Sequence, residues 1–222
     1  MIEIVFKALA SYLVGSLVGS LLVGRLRGGV DIRTLGSGNA GGTNALRTQG
    51  KVFAFWVMLI DIAKGVLAVR VIAPMSLGSA GFMGSPPPTE SLRSWLPVIC
   101  GAAAILGHVY PIWYGFRGGK GVATLVGVLL GLDWALLLVA LLAWVCIGVA
   151  FGYVGLASIA SAVAVPLFVL ATGLQPQAPL LTFGIAAAVL VLFTHRANIR
   201  RMRMGTEPRA RRLWLFGRGR AS

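Results

Sequence analysis

The chain alternates between long apolar runs and short polar intervals. Apolar residues dominate Ile4 to Gly24, Val52 to Ala73, Trp134 to Gly152, Val154 to Thr172 and, slightly shorter, Pro179 to Thr194. A bilayer's hydrocarbon core takes about 20 helical residues to cross, so each of these is expected to be a membrane-spanning helix. Pro97 to Trp113 is at the short end of that range, and Val122 to Leu132 is shorter still. The predicted fold class is all-α, a polytopic membrane protein.

Composition agrees: 57% of the 222 residues are hydrophobic and only 12% charged, against about a quarter charged in soluble domains. Arg25 and Arg27 follow the apolar core of the first run, which has no small-residue cleavage site. It is therefore expected to stay as the first span and not to be removed as a signal peptide. A net charge of +14 raises the question of nucleic acid. In a membrane chain it is better read as orientation, because basic residues collect in cytoplasmic loops. Arg25, Arg27, Arg33, Arg47 and Lys51 face only Asp31 in the first long loop, "GFRGGKG" (115–121) is basic, and the tail from Arg196 holds most of the remaining arginines. The Pro/Gly/Ser-rich loop from Pro74 to Leu96 is almost neutral, as an external loop would be. These assignments put the N-terminus outside and the C-terminus in the cytoplasm.

Parity then decides the short run. Going from a cytoplasmic loop at Gly118 to a cytoplasmic tail at Arg196 requires an even number of crossings. A helix from about Gly119 to Leu132, turned externally at Asp133, gives about seven crossings in all; a re-entrant hairpin there would give about five. Seven is the expected number. Residues 1–208 are expected to form a single membrane domain and 209–222 a basic cytoplasmic tail, with Trp214 and Phe216 on anionic headgroups. Cys100 and Cys146 lie within apolar runs and are expected to be packed side chains; no ligand set for a metal and no organic cofactor site is visible.

Three polar segments interrupt the apolar pattern, and the charge map puts all of them on one face. In "GSGNAGGTNALR" (36–47), Gly36, Gly38 and Gly41 spell G-x-G-x-x-G, with Asp61 twenty residues beyond Gly41. That dinucleotide fingerprint requires a strand and a βαβ unit, and membrane-length apolar runs flank this one. The segment is either a flexible linker or a nest of amides and side-chain donors (Ser37, Asn39, Thr43, Asn44) closing on Arg47, suited to phosphate or carboxylate. In "GFRGGKGVATL" (115–125), Lys120 lies among Gly118, Gly119 and Gly121, but Tyr114 and Gly121 occupy positions where a nucleotide P-loop needs Gly and Ser or Thr. It reads as a phosphate site at a helix N-terminus or as a tight interfacial turn with a snorkelling lysine. "HRANIRRMRMGTEP" (195–208) offers His195 and Asn198 among arginines that face headgroups by default. Within the second span, Asp61 and Lys64 lie three apart, on one helical face, and are expected to form a structural ion pair; His108 stays ambiguous.

Together these segments resemble the three motifs of the bacterial acyl-phosphate:glycerol-3-phosphate acyltransferases, with "YLVGS", "DIAKG" and "GHVYP" also fitting, from Tyr12 to Glu207. Ala40, Gly42 and Ala197 stand where that family often has proline, alanine and glutamate, and "LVGS" replaces a Pro-Phe-Gly type of turn. The resemblance implies an enzyme of the bacterial inner membrane, with its active site on the cytoplasmic face. It would transfer an acyl group from acyl phosphate to the sn-1 hydroxyl of glycerol 3-phosphate, with no cofactor, metal or nucleic acid. It places Ser37, His195 and Asn198 at the reacting centre. Arg47 and Lys120 would grip phosphate, with Gly38, Asn39, Gly41, Thr43, Asn44, Gly118, Gly119 and Gly121 shaping the binding loops. Glu207 is expected to pair with a nearby arginine. The rival reading, a small transporter for a phosphorylated metabolite, lacks the internal repeat and paired broken helices that transporters often show.

Overall fold

The computed structural model describes residues 2–76, 88–210 and 214–215, and every regular element among them is helical. Ten α-helices follow in order: α1 (Ile2–Gly15), α2 (Gly19–Leu26), α3 (Gly42–Gln49), α4 (Lys51–Leu67), α5 (Glu90–Val109), α6 (Val122–Leu132), α7 (Trp134–Phe151), α8 (Val154–Thr172), α9 (Gln177–Thr194) and α10 (Arg196–Arg203). The end of α4 widens into a π-turn over Ala68–Ile72. The chain forms two compact units, Met1–Asp133 and Trp134–Ser222.

Five segments are long and apolar enough to cross a membrane: Lys51–Ile72, Glu90–Tyr114, Trp134–Phe151, Val154–Thr172 and Gln177–Thr194. Helices α1 and α2 meet that standard only as a pair, bent by 45° at their junction. Helix α6 has 11 residues. At 1.5 Å per residue it reaches about 16 Å, roughly half of a hydrocarbon core.

Three boundaries differ from the sequence expectation, each for a local reason. The run Ile4 to Gly24 is not one helix but breaks between Gly15 and Gly19, where a buried ion pair on α4 captures the freed backbone groups. Helix α5 starts at Glu90, not near Pro97, because Thr89 caps it: the Thr89 hydroxyl accepts from the Leu92 amide at 3.4 Å, and Glu90 lies in the first turn. Helix α6 starts at Val122, not Gly119, because the Gly118 and Gly119 amides are donated to the carbonyls of Val109 and His108, both at 3.1 Å. The loop residues 77–87 lie outside the described residues, as do Phe216 and most of the tail.

Within the first unit, helices approach through glycine. A methyl on Gly15 would meet the Ala104 carbonyl, and one on Gly107 would meet Tyr12 O and, at 2.8 Å, Ser16 N. That reciprocal contact locks α1 to α5. Gly65 and Gly127 do the same for α4 and α6: a methyl on the first would meet Thr124 O, and one on the second Ile62 O. Small residues of this kind let backbones touch where lipid removes most of the hydrophobic drive for helix association. A separate apolar cluster of Val23, Ile32, Ala45, Phe53, Ala54 and Val57 gathers α2, α3 and α4 around the loop between them.

The same unit buries Asp61, Lys64 and His108. The expected ion pair forms, with Lys64 Nζ 2.9 Å from Asp61 Oδ1. Lys64 also donates to the carbonyls of Gly15 (2.8 Å) and Leu17 (3.0 Å), and Asp61 Oδ1 accepts from the Gly19 amide at 3.0 Å. These are the groups that the break between α1 and α2 leaves without helical partners. Without water nearby, each unsatisfied group would cost several kcal/mol.

In the second unit α7 packs on α8 and α8 on α9, with α10 against α8 and α9. Helix α7 buries only Leu136, Ala140 and Gly148. Cys100 is buried as expected, whereas Cys146 lies on the exposed face of α7. A helix apolar all round with one narrow buried stripe leaves its other faces for hydrocarbon, so its cysteine need not be packed by protein.

Gly127→Ala is expected to lower the unfolding midpoint in detergent, by about 1–3 kcal/mol of overpacking. Gly148→Ala, whose new methyl would have its nearest neighbour at 3.8 Å, should leave the midpoint unchanged.

Candidate active site

The first polar segment is a built loop, not a linker. Asn44, 3% exposed at the start of α3, organises it. Its Oδ1 accepts from the Ser37 amide at 3.0 Å, while its Nδ2 lies within donating distance of the carbonyls of Ile32 (2.9 Å), Leu35 (3.0 Å) and Asn39 (3.0 Å). With three acceptors for two protons, this amide is committed to the loop. Asn39 Oδ1 accepts from the Gly41 amide at 2.9 Å, and Ser20 Oγ donates to Ala40 O at 2.7 Å. Gly36 has φ +56°, and a side chain there would run into Asn44 Oδ1. Ser37, Gly38, Thr43 and Arg47 are exposed on this scaffold. The first-turn amides of α3, Gly42 and Thr43 among them, have no intrahelical acceptor.

The second segment joins α5 to α6 and is tied to the first by Arg33. Its Nη1 donates to the carbonyls of Tyr114 (3.0 Å) and Arg117 (2.9 Å). Its Nε and Nη2 hold Asp31, the latter 2.7 Å from Oδ2. Tyr114 packs on the cluster of Val18, Leu21 and Ala40, so the two loops are neighbours. Between the two carbonyls lies Phe116, at φ +58°, a left-handed conformation that a bulky side chain disfavours. Arg33 thus brackets a strained turn. Its hydrogen bonds hold the Asp31 carboxyl below the usual carboxylate range, and Asp31 in turn raises the Arg33 value.

Gly118 and Gly119 are not amide donors to an anion, since both amides are already paired, as noted above. Gly121, at φ +86°, makes the left-handed turn into α6. Lys120 is half-buried, just before that helix's N-terminus.

In the second unit, His195 stands at the junction of α9 and α10 and is 3% exposed. Its Nδ1 lies 2.8 Å from Val191 O. A carbonyl only accepts, so Nδ1 carries the hydrogen and, in the neutral ring, Nε2 is the proton acceptor. Asn198 Nδ2 donates to Glu207 Oε1 at 2.6 Å, and Glu207 Oε2 accepts from Arg201 Nε at 2.6 Å. Glu207 is therefore structural, as expected, and also holds Asn198. Trp214 does not stand off on its own: Arg209 lies between the rings of Tyr153 and Trp214, 4.8 and 4.0 Å from their centroids.

The first two polar segments thus adjoin in one unit, and the third is ordered in the other. Sequence reasoning missed Asp31, Arg33 and Ser20 as loop-holding groups, although "DIR" closely precedes the first motif. Among the described residues no group of three or more His, Cys, Asp or Glu could hold a metal ion.

Glycine-built polar loops between membrane-length helices define a polytopic membrane protein. The description glycerol-3-phosphate acyltransferase belongs to the family model that matches residues 5–205. A protein of that name from Synechococcus sp. (strain JA-3-3Ab) is 43% identical over 93% of both chains. Another, from Coxiella burnetii (strain CbuG_Q212), is 36% identical over 93% of this chain and 98% of its own. Crystal structures of PlsY (YgiH), an integral membrane glycerol 3-phosphate acyltransferase, match at 34% identity. They cover 93% of this chain and 94% of theirs, with TM-scores of 0.77 in the glycerol 3-phosphate form and 0.76 in the lysophosphatidic acid form. The chain belongs to the glycerol-3-phosphate acyltransferase family and is an integral membrane acyltransferase.

The pairing of Asp31 with Arg33 makes a pH-dependent contribution. Because the folded-state carboxyl value is lowered, that contribution is complete above the ordinary carboxylate range and disappears as pH falls through the lowered value. Asp31→Asn should therefore be less stable than wild type near neutrality, by about 1 kcal/mol for a partly exposed pair. The gap should close in acid, as read by unfolding midpoints across pH.

Proposed function

We propose that this enzyme transfers the acyl group of an acyl phosphate to the sn-1 hydroxyl of glycerol 3-phosphate. The hydroxyl oxygen bonds to the acyl carbonyl carbon, the bond from that carbon to the phosphate oxygen breaks, and lysophosphatidate and inorganic phosphate leave. Phosphate is a good leaving group, so no covalent enzyme intermediate is needed. Holding the two substrates in register carries much of the acceleration.

The observation that carries this reading is the pair of adjoining glycine-built loops, one leading into α3, whose last turn carries Arg47, and the other bearing Lys120 just before the N-terminus of α6. Both substrates are phosphates, and a planar guanidinium, an ammonium and helix-terminal amides are complementary to them. Family membership and the 34% identical relative crystallised in glycerol 3-phosphate and lysophosphatidic acid forms support the acceptor and product. Arg47 and Lys120 contact phosphate and Ser37 stands at the reacting centre; Gly38, Asn39, Gly41, Thr43, Asn44, Gly118, Gly119 and Gly121 shape the loops. By the family resemblance His195 and Asn198, the latter held by Glu207, serve the reacting centre, where either His195 Nε2 or a substrate phosphate takes the hydroxyl proton.

The basic loops support a cytoplasmic site, with the N-terminus outside and seven crossings, and the family resemblance supports a bacterial inner membrane. Reporter fusions at Arg117 and Asp133 should report opposite sides; the same side would refute a crossing by α6.

Purified protein given acyl phosphate and glycerol 3-phosphate should release phosphate and form lysophosphatidate. His195→Ala should lose at least about a hundredfold in kcat, within what a positioned base supplies. Lys120→Ala should raise KM for glycerol 3-phosphate. Near-normal turnover in the first variant, or an unchanged acceptor dependence in the second, would remove that residue's assignment.

A further inference from the structure

His108 is 2% exposed and lies between two features that no catalytic role connects. On one edge, its Nδ1 is 2.8 Å from Lys64 Nζ and 3.2 Å from Asp61 Oδ1, the pair that seals the break between α1 and α2. On the other edge lies the loop leading to Lys120. A methyl on Gly119 would meet the imidazole at Nε2, with Cε1 at 2.9 Å and Cδ2 at 3.1 Å. A methyl on Gly118 would meet the His108 carbonyl, and the Pro111 ring carbon Cδ at 2.7 Å. The Gly119 amide donates to His108 O at 3.1 Å.

Neither glycine needs a left-handed conformation; the positive-φ glycines of this loop are Gly115 and Gly121. What excludes a side chain at 118 and 119 is His108 and its neighbour Pro111. Nor are these amides turned toward a ligand, because both are already donated within the protein. The loop is laid against an imidazole, and the imidazole's other edge is held by a buried ion pair.

We propose that His108 is a positioning residue: its ring, fixed by Asp61 and Lys64, is the surface against which Gly119 lies, and it sets where Lys120 stands relative to the acceptor phosphate. The inference rests on the assignment of Lys120 above. It predicts a coupling that a ligand-facing role for the glycines would not produce. If Gly119 is glycine because of the ring, deleting the ring edge makes room for a methyl.

The test is a double-mutant cycle on the full-length protein in detergent. His108→Asn retains an amide near the position of Nδ1, within reach of Lys64 and Asp61, and removes the edge that faces Gly119. Gly119→Ala alone should raise KM for glycerol 3-phosphate about ten- to a hundredfold, with a smaller change in kcat, since a misplaced binding group costs that order. His108→Asn alone should also raise KM for glycerol 3-phosphate, with a smaller change in kcat, and adding Gly119→Ala to it should cost little more. Unfolding midpoints of the same four proteins score the contact independently of activity: the methyl should lower the midpoint in the wild-type background and leave it unchanged in the His108→Asn background. His108→Ser serves as a second background with the ring deleted. Equal losses from Gly119→Ala in all backgrounds, in KM and in midpoint, would overturn the inference. A wild-type protein inactive on acyl phosphate and glycerol 3-phosphate would instead overturn the reaction assignment, and the midpoint cycle would still decide the role of His108.

Discussion

The first unit depends on one interaction: a lysine and an aspartate on α4 take over the hydrogen bonding of a helix that stops inside an apolar run. Lys64 collects the carbonyls of Gly15 and Leu17, and Asp61 collects the amide of Gly19. In hydrocarbon, irregular backbone survives only where protein satisfies it. Removing either member of such a pair strands a buried charge together with the backbone groups it served, a loss of about 3–5 kcal/mol for the pair alone. The arrangement is therefore interdependent. The break needs the charges, and the charges are tolerable only because the break supplies partners for them.

The bend has a use further along the chain. It turns α2 so that Ser20 can donate to Ala40 O and so that Val18 and Leu21 pack on Ala40 with Tyr114 alongside. These contacts, with Arg33, place the two glycine-rich loops of the unit side by side. A straight helix through this region would present different faces to the loop. Functional loop placement is thus tied to an ion pair that touches neither motif's exposed residues.

Much of this was legible in sequence, and what was not has identifiable causes. Span positions followed from apolar length, and the Asp61–Lys64 pair from its spacing of three. Glu207 with an arginine was also readable, because arginines crowd the segment just before it. The break at Gly15–Gly19 was not readable, because its cause lies more than forty residues downstream, while Ser16, Leu17 and Val18 do nothing to interrupt the apolar count. Asn44 could be identified as a group of the first motif, but its pattern of donors cannot show whether it bonds a ligand or its own loop. Only the positions of three carbonyls decide that. Gly118 and Gly119 illustrate a second ambiguity. A glycine required by a neighbour's bulk and one required by its own dihedral angles are the same letter.

The commitment of Asn44 bears on how ligands are met at the first loop. Four carbonyl and amide partners drawn from residues 32 to 39 gather on one side chain before any substrate arrives. The chain entropy of shaping the loop is thus lost at folding and does not weaken affinity at each encounter. On the proposed phosphate role, an incoming anion would meet a rim already shaped, and the long exposed side chain of Arg47, about one helical turn further along α3, would supply the adaptable contact.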